Sequence, residues 1–381
     1  MDFALPKDIA NLQGVAREFA DLKLAPLVPR MEAEDVFPRE LIPDIVKLGF
    51  LGLCVEKAYG GLGLGQLARV VVLEEMARVS PACAFSLAIS HLGIGQISSF
   101  GSAAQKEALL PLLGRGEKLI TTAVTEAESG SNPALIQTRA TREDGWWRLS
   151  GRKVFITNAT FADLAVVTAR TGTGAKGLSA FIVDLSSQGV IVGPRMPMVG
   201  IKGCEVAELH LKDVAVPGEN LVGRPGEGFA VTLVAITQMG RTGMAAVGLG
   251  IARAALDHAS SYAKRRRLGG QVIKDFQAIQ WLLADCYADY ESARLLTLRA
   301  AWLVDSGERA ESEVALAKFA ATEAAVSTAR RCLDIFGGYG YLAKAAPERL
   351  WRDAICTIAT SGTSEVMRIL MAKGALKRAK R

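Results

Sequence analysis

Three short segments combine glycine with hydroxyl side chains, and they are the parts of this sequence best suited to chemistry. They are AVTEAESGSN at residues 123–132, FGGYGY at 336–341 and SGTSE at 361–365. Glycines and small hydroxyl residues let backbone N–H groups approach a phosphate or a polar heterocycle closely. Each segment alone is equally typical of a turn. Together they predict a cofactor site only if the fold brings them close to one another.

The sequence gives no support for several other kinds of site. It contains no G-x-x-x-x-G-K-[ST] loop, no strand-G-x-G-x-x-G-helix unit and no G-x-S-x-G elbow. Its histidines, His91, His210 and His258, are far apart, and its six cysteines include no C-x-x-C pair. These patterns argue against a P-loop, a Rossmann turn, a hydrolase triad and a metal cluster. Unpaired cysteines also favour a reducing compartment, so we expect a cytoplasmic protein.

The charge pattern argues against nucleic acid as a partner. The net charge is +6, but 45 basic residues are offset by 39 acidic ones along 381 residues. The dense basic run is confined to residues 264–267, which could be a solvated helix end or could bind a small polyanion such as a nucleotide pyrophosphate. No uninterrupted apolar stretch approaches 18 residues, so we expect no membrane insertion.

The periodicity divides the chain into three parts and predicts an α+β, mostly helical fold. Apolar residues recur every three or four positions in residues 1–118, which predicts a helical domain. Residues 119–225 contain β-branched runs, with Asp144-Gly145 between two of them. They predict a middle antiparallel β-domain with a hairpin, a small β-barrel or a sandwich. Residues 226–381 predict long helices at 228–265, 275–306 and 310–335 in a C-terminal bundle.

Six segments in this order resemble the motifs of the acyl-CoA dehydrogenase family over nearly the whole chain. YGGLGLG resembles its N-terminal glycine turn, AVTEAESGSN its flavin loop, and VFITN its W-I-T-N strand. RRRLGGQVIKDFQAIQ is similar to R-x-Q-F-G-x-x-I-x-x-F-Q, DIFGGYGY to Q-x-F-G-G-x-G-Y, and RDAICTIATSGTSEVMR to R-D-A-x-x-x-x-I-Y-E-G-T-S-E-x-x-R. The resemblance implies the fold of that family, with a C-terminal four-helix bundle. It also implies FAD as the cofactor, held between the β-domain and the bundle, with part of its site donated by a neighbouring subunit.

The resemblance assigns FAD contacts residue by residue. Phe155 would take the place of the tryptophan stacked on the flavin, and Thr157 would hydrogen-bond the ring. The departures from the family motifs are Phe155, Leu268, Gly269 and Asp334, which would weaken single FAD contacts. The implied cofactor residues are Val124, Thr125, Ser131, Phe155, Thr157, Arg266, Gln277, Asp334, Gly337, Gly338, Thr363 and Glu365. The implied residues of the acyl-CoA channel are Ser131, Gln238, Arg241, Ser361 and Gly362.

The carboxylate that the family uses as its base is missing. Family members remove the α-proton of the thioester with a glutamate, and Ser361 stands at that position. In one branch of the family the glutamate lies just before the channel arginine, and that position is Gly240. A serine hydroxyl cannot act as a base without another group to activate it. We therefore expect an atypical member with a displaced base.

His91 is our candidate for that base, because neutral imidazole has suitable basicity near pH 7 and the residue matches a position that lines the acyl pocket. A histidine hydrogen-bonded in a helical interface is the alternative. Glu74 and Glu75 lie on a helix that could reach the pocket floor, but for both a solvated helix face is the favoured interpretation. Glu365 is expected to point away from the pocket.

Three functions remain open from the sequence. The first is FAD-dependent dehydrogenation of an unusual acyl-CoA, cyclic or already unsaturated. The second is a non-oxidative elimination, such as loss of sulfinate, and the third is a catalytically silent flavoprotein. The resemblance further implies a homo-oligomer, most simply a tetramer, and an electron-transfer flavoprotein or similar acceptor as partner.

Overall fold

The computed structural model describes residues 4–378, and it begins with a layer of helices. The helix α4 is buried over most of its length, and Ser80 caps the start of α5 by accepting a hydrogen bond from the Cys83 N–H at 3.3 Å. Helix α4 packs against α1 and α5. The bounds of the six helices are Lys7–Phe19 for α1, Val28–Glu34 for α2, Ile42–Lys47 for α3, Gln66–Val79 for α4, Pro81–Phe100 for α5 and Ala103–Gly114 for α6.

Helix α5 is the one described helix long and apolar enough to cross a membrane, and 78% of its apolar window is buried inside the fold. It contacts α4 and α6 on the helical side and, farther along the chain, the first strand of the β-domain and the bundle. This burial is what a core helix requires.

The middle region is an eight-stranded sheet in the order β6-β7-β3-β2-β4-β5-β8, with β1 paired to β4. The predicted hairpin is present, since β2 and β3 pair antiparallel around Asp144 and Gly145, whose φ angles of 45° and 85° fit a tight two-residue turn. Most strand pairs are antiparallel, as expected, while β1 and β2 run parallel to β4, so the sheet is mixed. The strands are Ile120–Ala123 (β1), Arg139–Glu143 (β2), Trp146–Thr157 (β3), Leu164–Arg170 (β4), Leu178–Asp184 (β5), Val190–Val192 (β6), Val206–Pro217 (β7) and Leu221–Val222 (β8).

The C-terminal region is a helical bundle whose central helix, α10, contacts α8, α9, α11 and α12. Helix α7 continues into α8 through a π-helical turn at Ala235–Gly240, a feature often found at functional sites. Helix α8 also packs on α4, which joins the bundle to the first layer in one hydrophobic core. The helices are Gly228–Val234 (α7), Arg241–Arg265 (α8), Gln277–Asp305 (α9), Glu311–Phe336 (α10), Ala346–Ala359 (α11) and Ser364–Arg378 (α12), with a small hairpin of Arg267–Leu268 (β9) and Gln271–Val272 (β10).

Candidate active site

The SGTSE segment forms a tight turn between α11 and α12. Ser361 has a φ of 57° and Gly362 a φ of 103°, so both residues adopt the left-handed region. Serine pays a steric cost there that glycine does not. The turn is therefore held by its surroundings: Ser364 Oγ donates a 2.7 Å hydrogen bond to Glu323 of α10, and the buried Lys318 donates one of 2.7 Å to the Ile358 carbonyl at the end of α11.

Gly240 and Ser361, the two positions at which the resemblance would place a glutamate, face each other across a short distance. A Cβ built on Gly240 would lie 3.3 Å from Ser361 Oγ and 3.5 Å from Leu92 Cδ1 of α5. Neither position carries a carboxylate. We call this place the Gly240–Ser361 gap.

Arg241 lies at the edge of this gap, at the first position of α8 after the π-helical turn. It is 6% exposed, and its Nε has no hydrogen-bond partner among residues 4–378. The other end of the guanidinium donates to Thr237 Oγ1 at 3.2 Å, and Nε would lie 4.0 Å from a Cβ built on Gly362. Burial lowers the pKa of Arg241, which shows how little solvent stabilises its charge. Arg241, Ser361 and Gly362 thus lie together, as the acyl-channel assignment requires.

The other two predicted channel residues have exposed side chains in this structure. Ser131 lies in the loop after β1, and Gln238 lies in the π-helical turn with its carbonyl accepting from Thr242 Oγ1 at 2.6 Å. No hydrogen bond joins either side chain to the turn among the described residues.

His91 is a buried structural histidine with both ring nitrogens occupied. Arg69 Nε donates to His91 Nδ1 at 3.0 Å, so His91 Nε2 carries the hydrogen and donates to the Phe50 carbonyl at 2.7 Å. The residue is 1% exposed, and burial together with the Arg69 charge lowers its pKa to about 3. No lone pair is available to a substrate, so the geometry argues against His91 as the base and favours the alternative of a hydrogen-bonded core histidine.

The carboxylate candidates are also engaged elsewhere. Glu74 accepts from Tyr290 at 2.6 Å and pairs with Arg294, while Glu75 is bound by Arg17 and Arg253. Burial alone would raise the pKa of Glu75, but hydrogen bonds from both arginines outweigh it and lower the pKa to about 2.

Glu365 is 74% exposed at its side chain and lies 3.6 Å from Arg368. Its side chain is thus a solvent-exposed partner of Arg368, and its orientation relative to the gap stays a prediction.

One wall of the predicted flavin site is formed by the C-terminal end of β3. Phe155 sits where the pairing of β3 with β7 shifts register, has a φ of 58° and leaves 60% of its surface exposed. A large aromatic residue in the left-handed region, held out toward solvent, is uncommon in a strand. Thr157 is buried two residues further on, and its carbonyl accepts from Thr121 Oγ1 at 2.6 Å.

The loop after β1 supports the same wall. The Val154 N–H donates to the Thr125 carbonyl at 2.9 Å, and Lys153 Nζ donates to the Val124 carbonyl at 3.0 Å and to Glu126 at 2.7 Å. Ser129 is buried, and its Oγ has no partner among the described residues. Ser129 lies in the AVTEAESGSN segment but was not among the predicted cofactor residues. Its unpaired hydroxyl belongs to the loop that bonds to β3 one residue before Phe155, and such a group fits a polar heterocycle such as a flavin.

The remaining predicted cofactor residues lie in a different place, around a cavity of about 720 Å³ at the far end of α8 and α10. Arg266, Asp334, Gly337 and Gly338 line it, and the Arg266 guanidinium lies 5.1 Å from the centre of the Tyr339 ring. Gln277 lies between two lining residues, Phe276 and Ala278. None of Phe155, Thr157 and Thr363 lines this cavity. The cofactor residues thus form two separate groups within one chain.

Comparison with known proteins identifies the class. Three models match in order: the acyl-CoA dehydrogenase N-terminal domain at residues 6–117, its middle domain at 121–214 and its C-terminal domain at 226–376. The chain belongs to the acyl-CoA dehydrogenase family, whose members are FAD-dependent oxidoreductases acting on CH–CH donors.

The related proteins include both dehydrogenases and reductases. The chain is 36% identical to 3-(aryl)acrylate reductase of Clostridium sporogenes, over 96% of this chain and 98% of that protein. It is 37% identical to the mitochondrial short-chain specific acyl-CoA dehydrogenase of Mus musculus, over 97% and 90% of the two chains. It is 36% identical to the CarC subunit of the caffeyl-CoA reductase–Etf complex of Acetobacterium woodii, over 96% and 98%.

Solved structures show the same fold throughout. Butyryl-CoA dehydrogenase of Megasphaera elsdenii superposes with a TM-score of 0.96 at 35% identity, covering 99% of this chain and all of that one. The FAD complex of PigA superposes with a TM-score of 0.94 at 27% identity, covering 99% and 100%. The expected fold of helical domain, β-domain and bundle is confirmed.

Proposed function

We propose that this protein catalyses the FAD-dependent dehydrogenation of an unusual acyl-CoA thioester, cyclic or already unsaturated. The observation that carries the proposal is the Gly240–Ser361 gap. The fold and the flavin wall of the family are present, but neither position that could hold the usual base carries an acid. A straight-chain thioester has a weakly acidic α-proton and needs such a base. A substrate that is already activated needs less help from the protein.

The residues present fit FAD in two groups. Phe155, Thr157 and Ser129 offer a stacking ring and polar atoms to the flavin, and Thr363 lies on the turn between α11 and α12. Arg266 offers a guanidinium fork to a pyrophosphate, at the cavity lined by Gly337 and Gly338. When bound, FAD supplies the hydride acceptor for this reaction. The protein positions the thioester and stabilises developing charge. Because no side chain at the gap can take the proton that leaves with the hydride, we assign that proton to a water molecule in the acyl channel.

His91 takes a positioning role in this proposal. Its Nδ1 accepts from Arg69, and Arg69 in turn donates to Gln66 and to Thr242 of α8. This buried network holds α4, α5 and the start of α8 together, next to Arg241. His91 therefore fixes the frame of the site and does not exchange a proton with the substrate.

The separation of the two cofactor groups supports a homo-oligomer, most simply a tetramer. A second copy would bring its own cavity to the FAD held at the flavin wall of the first. Helix α9 carries Trp281, Leu295 and Trp302 at spacings of 14 and 7 residues, both multiples of seven, exposed by 64%, 48% and 57%. Residues spaced in this way share one face of a helix, and an exposed apolar face of this kind marks an interaction surface. We propose that this face packs against another copy.

The remaining partners follow from the relatives. One relative is named as part of a complex with Etf. An electron-transfer flavoprotein or similar acceptor is the proposed redox partner, and the proposed location is the cytoplasm. All six cysteines are free thiols in the structure, as a reducing compartment requires.

A second candidate is a non-oxidative elimination on an acyl-CoA, which is favoured by the unpaired charge of Arg241. A cation beside the gap could stabilise a departing anion such as sulfinate. A catalytically silent flavoprotein is the third candidate.

One experiment separates the three functions. The FAD-loaded protein is mixed anaerobically with a panel of straight-chain, cyclic and unsaturated acyl-CoAs while flavin absorbance is followed. Bleaching with a cyclic or unsaturated substrate supports the proposal. Turnover detected by product mass without bleaching supports the elimination, and neither bleaching nor product supports the silent flavoprotein.

A further inference from the structure

Three buried cations without a carboxylate in contact lie on the elements next to the Gly240–Ser361 gap: Arg241 at the gap, Arg69 bonded to Thr242 of α8, and Lys318 bonded to the end of α11. Arg69 and Lys318 are fully buried and Arg241 is 6% exposed. No carboxylate oxygen of residues 4–378 lies within 4.0 Å of their charged nitrogens, because none of the three takes part in an ion pair by that criterion. A buried charge without a partner costs several kcal/mol, so natural proteins rarely retain one without a reason.

Two of the three cations are explained by neutral partners. The Arg69 guanidinium donates to His91, Gln66, Thr242 and the Ala88 carbonyl. Lys318 donates to the Ile358 carbonyl, and burial lowers the pKa of its ammonium to about 8. Arg241 is different, since its buried Nε–H has no acceptor and it lies at the gap itself.

A second buried donor without an acceptor lies one helical turn from the gap. Leu92 of α5 would contact a Cβ on Gly240 at 3.5 Å, and Gln96 lies four residues further along the same face of the helix. Gln96 is 1% exposed; its Oε1 accepts from Thr122 Oγ1, while its Nε2 has no partner among the described residues. Of the side-chain nitrogens in this part of the molecule, Arg241 Nε and Gln96 Nε2 both lack an acceptor.

We propose that the acyl group of the substrate carries an anionic group, a carboxylate in the simplest case, that binds between Arg241 and Gln96 beside the gap. The inference rests on the proposed function, because it names the class of acyl-CoA that this site takes. Two unpaired donors, one of them charged, require an acceptor with a negative charge. Replacing the usual glutamate by Ser361 removes the enzyme's own anion from this place. The anion of the substrate then neutralises Arg241 and fills the space that the missing side chain leaves.

The test measures binding of matched CoA esters to the FAD-loaded protein by titration calorimetry. Glutaryl-CoA supplies a carboxylate, glutaramyl-CoA the same shape with a neutral amide, and hexanoyl-CoA an alkyl chain. 3-Sulfinopropionyl-CoA distinguishes a sulfinate from a carboxylate. A charge-assisted pair predicts that at least one anionic ester binds about 10-fold to 100-fold more tightly than the neutral amide. Arg241→Gln should reduce that ratio to about threefold or less, whereas Arg115→Gln, at an exposed ion pair with Glu117, should leave it unchanged.

Failure of this inference differs from failure of the proposed function. If the neutral amide and hexanoyl-CoA bind as tightly as both anionic esters, the inference is overturned while acyl-CoA binding stands. If no CoA ester binds, the proposed function itself fails. If Arg241→Gln no longer binds FAD, the variant Gln96→Leu is used instead. Loss of one hydrogen bond of about 1 kcal/mol should make the affinity ratio of anionic ester to neutral amide at least threefold smaller, which supports the inference. An unchanged ratio overturns it.

Discussion

Arg69 Nε donates to His91 Nδ1 at 3.0 Å inside the core, and this bond decides what His91 can do. It fixes the neutral tautomer whose Nε2–H reaches the Phe50 carbonyl at 2.7 Å. The residue that the sequence singled out as a base therefore holds the scaffold together.

Removing this imidazole should affect stability more than catalysis. In His91→Ala, Arg69 loses a partner and the Phe50 carbonyl loses its donor, so unfolding in urea should require about 2–4 kcal/mol less free energy. The rate of flavin bleaching per folded, FAD-loaded molecule should stay within about threefold of the parent, since no proton transfer is lost. His258→Ala, at an exposed position of α8, is the control and should change stability little. Loss of bleaching in folded His91→Ala protein would restore His91 as the base.

The same histidine should make stability depend on pH. The pKa of His91 is about 3 in the folded state, below the ordinary value of 6.5. Between pH 3 and pH 6.5 the folded protein therefore binds fewer protons at this residue than the unfolded chain does. Its contribution is fully present above pH 6.5 and is lost as the pH falls from there toward 3, at up to about 1.4 kcal/mol per pH unit.

Unfolding measured between pH 6.5 and 5 should show a shallower slope in His91→Asn than in the parent. Although much of the His258 side chain is exposed, partial desolvation by its neighbours and the Arg349 charge also lower its pKa, so His258→Ala in the same series separates the two contributions. Equal slopes in His91→Asn and the parent would contradict the buried neutral ring.

Restoring the carboxylate should restore ordinary chemistry. Ser361→Glu places an acid at the turn that already tolerates a left-handed side chain, since Ser361 has a φ of 57°. Anaerobic bleaching with butyryl-CoA should rise by about 10²-fold to 10⁴-fold, the usual contribution of a positioned base. Ser361→Gln has the same shape without the basicity and should show no rise. If the two variants bleach alike, the pocket does not present Cα to this wall.

Phe155 should show opposite effects on stability and cofactor affinity. Phe155→Gly relieves the cost of a φ of 58°, so the protein without FAD should gain about 0.5–1 kcal/mol of stability. The loss of an aromatic face should weaken FAD binding by about 10-fold. Asp144→Gly, at a φ of 45° in the β2–β3 turn, is the matched control and should relieve a similar cost without changing FAD affinity. Unchanged FAD affinity in Phe155→Gly would remove this ring from the flavin wall.

Charging the exposed face of α9 should reveal the oligomer. The double change Trp281→Glu and Trp302→Glu places two acids on the proposed interface, so sedimentation should show a smaller assembly. FAD occupancy should fall with it, because the Arg266 cavity of one copy would no longer reach the flavin wall of the next. Trp146→Glu, at a β-hairpin residue that is 48% exposed, should change neither. An assembly unchanged by the double variant would place the interface elsewhere.

The sequence alone determined the architecture and what is missing from the site. The order of helices, strands and long bundle helices follows from apolar periodicity and turn residues, which act locally. The absence of an acid at Ser361 and Gly240 was readable from the motifs. The mixed pairing of β1 with β4 was not, because strand order depends on contacts between distant segments.

Only the tertiary structure decided how the site residues meet. Gly240 and Ser361 are 121 positions apart, and packing of α8 against the α11–α12 turn brings them together. That Arg241 Nε lacks a hydrogen-bond acceptor, and that both ring nitrogens of His91 have partners, depends on residues distant in the sequence. A helical sequence pattern is equally compatible with a hydrogen-bonded histidine and a reactive one. Burial and hydrogen-bond partners set the pKa and the availability of a side chain, so its chemistry is decided by the fold.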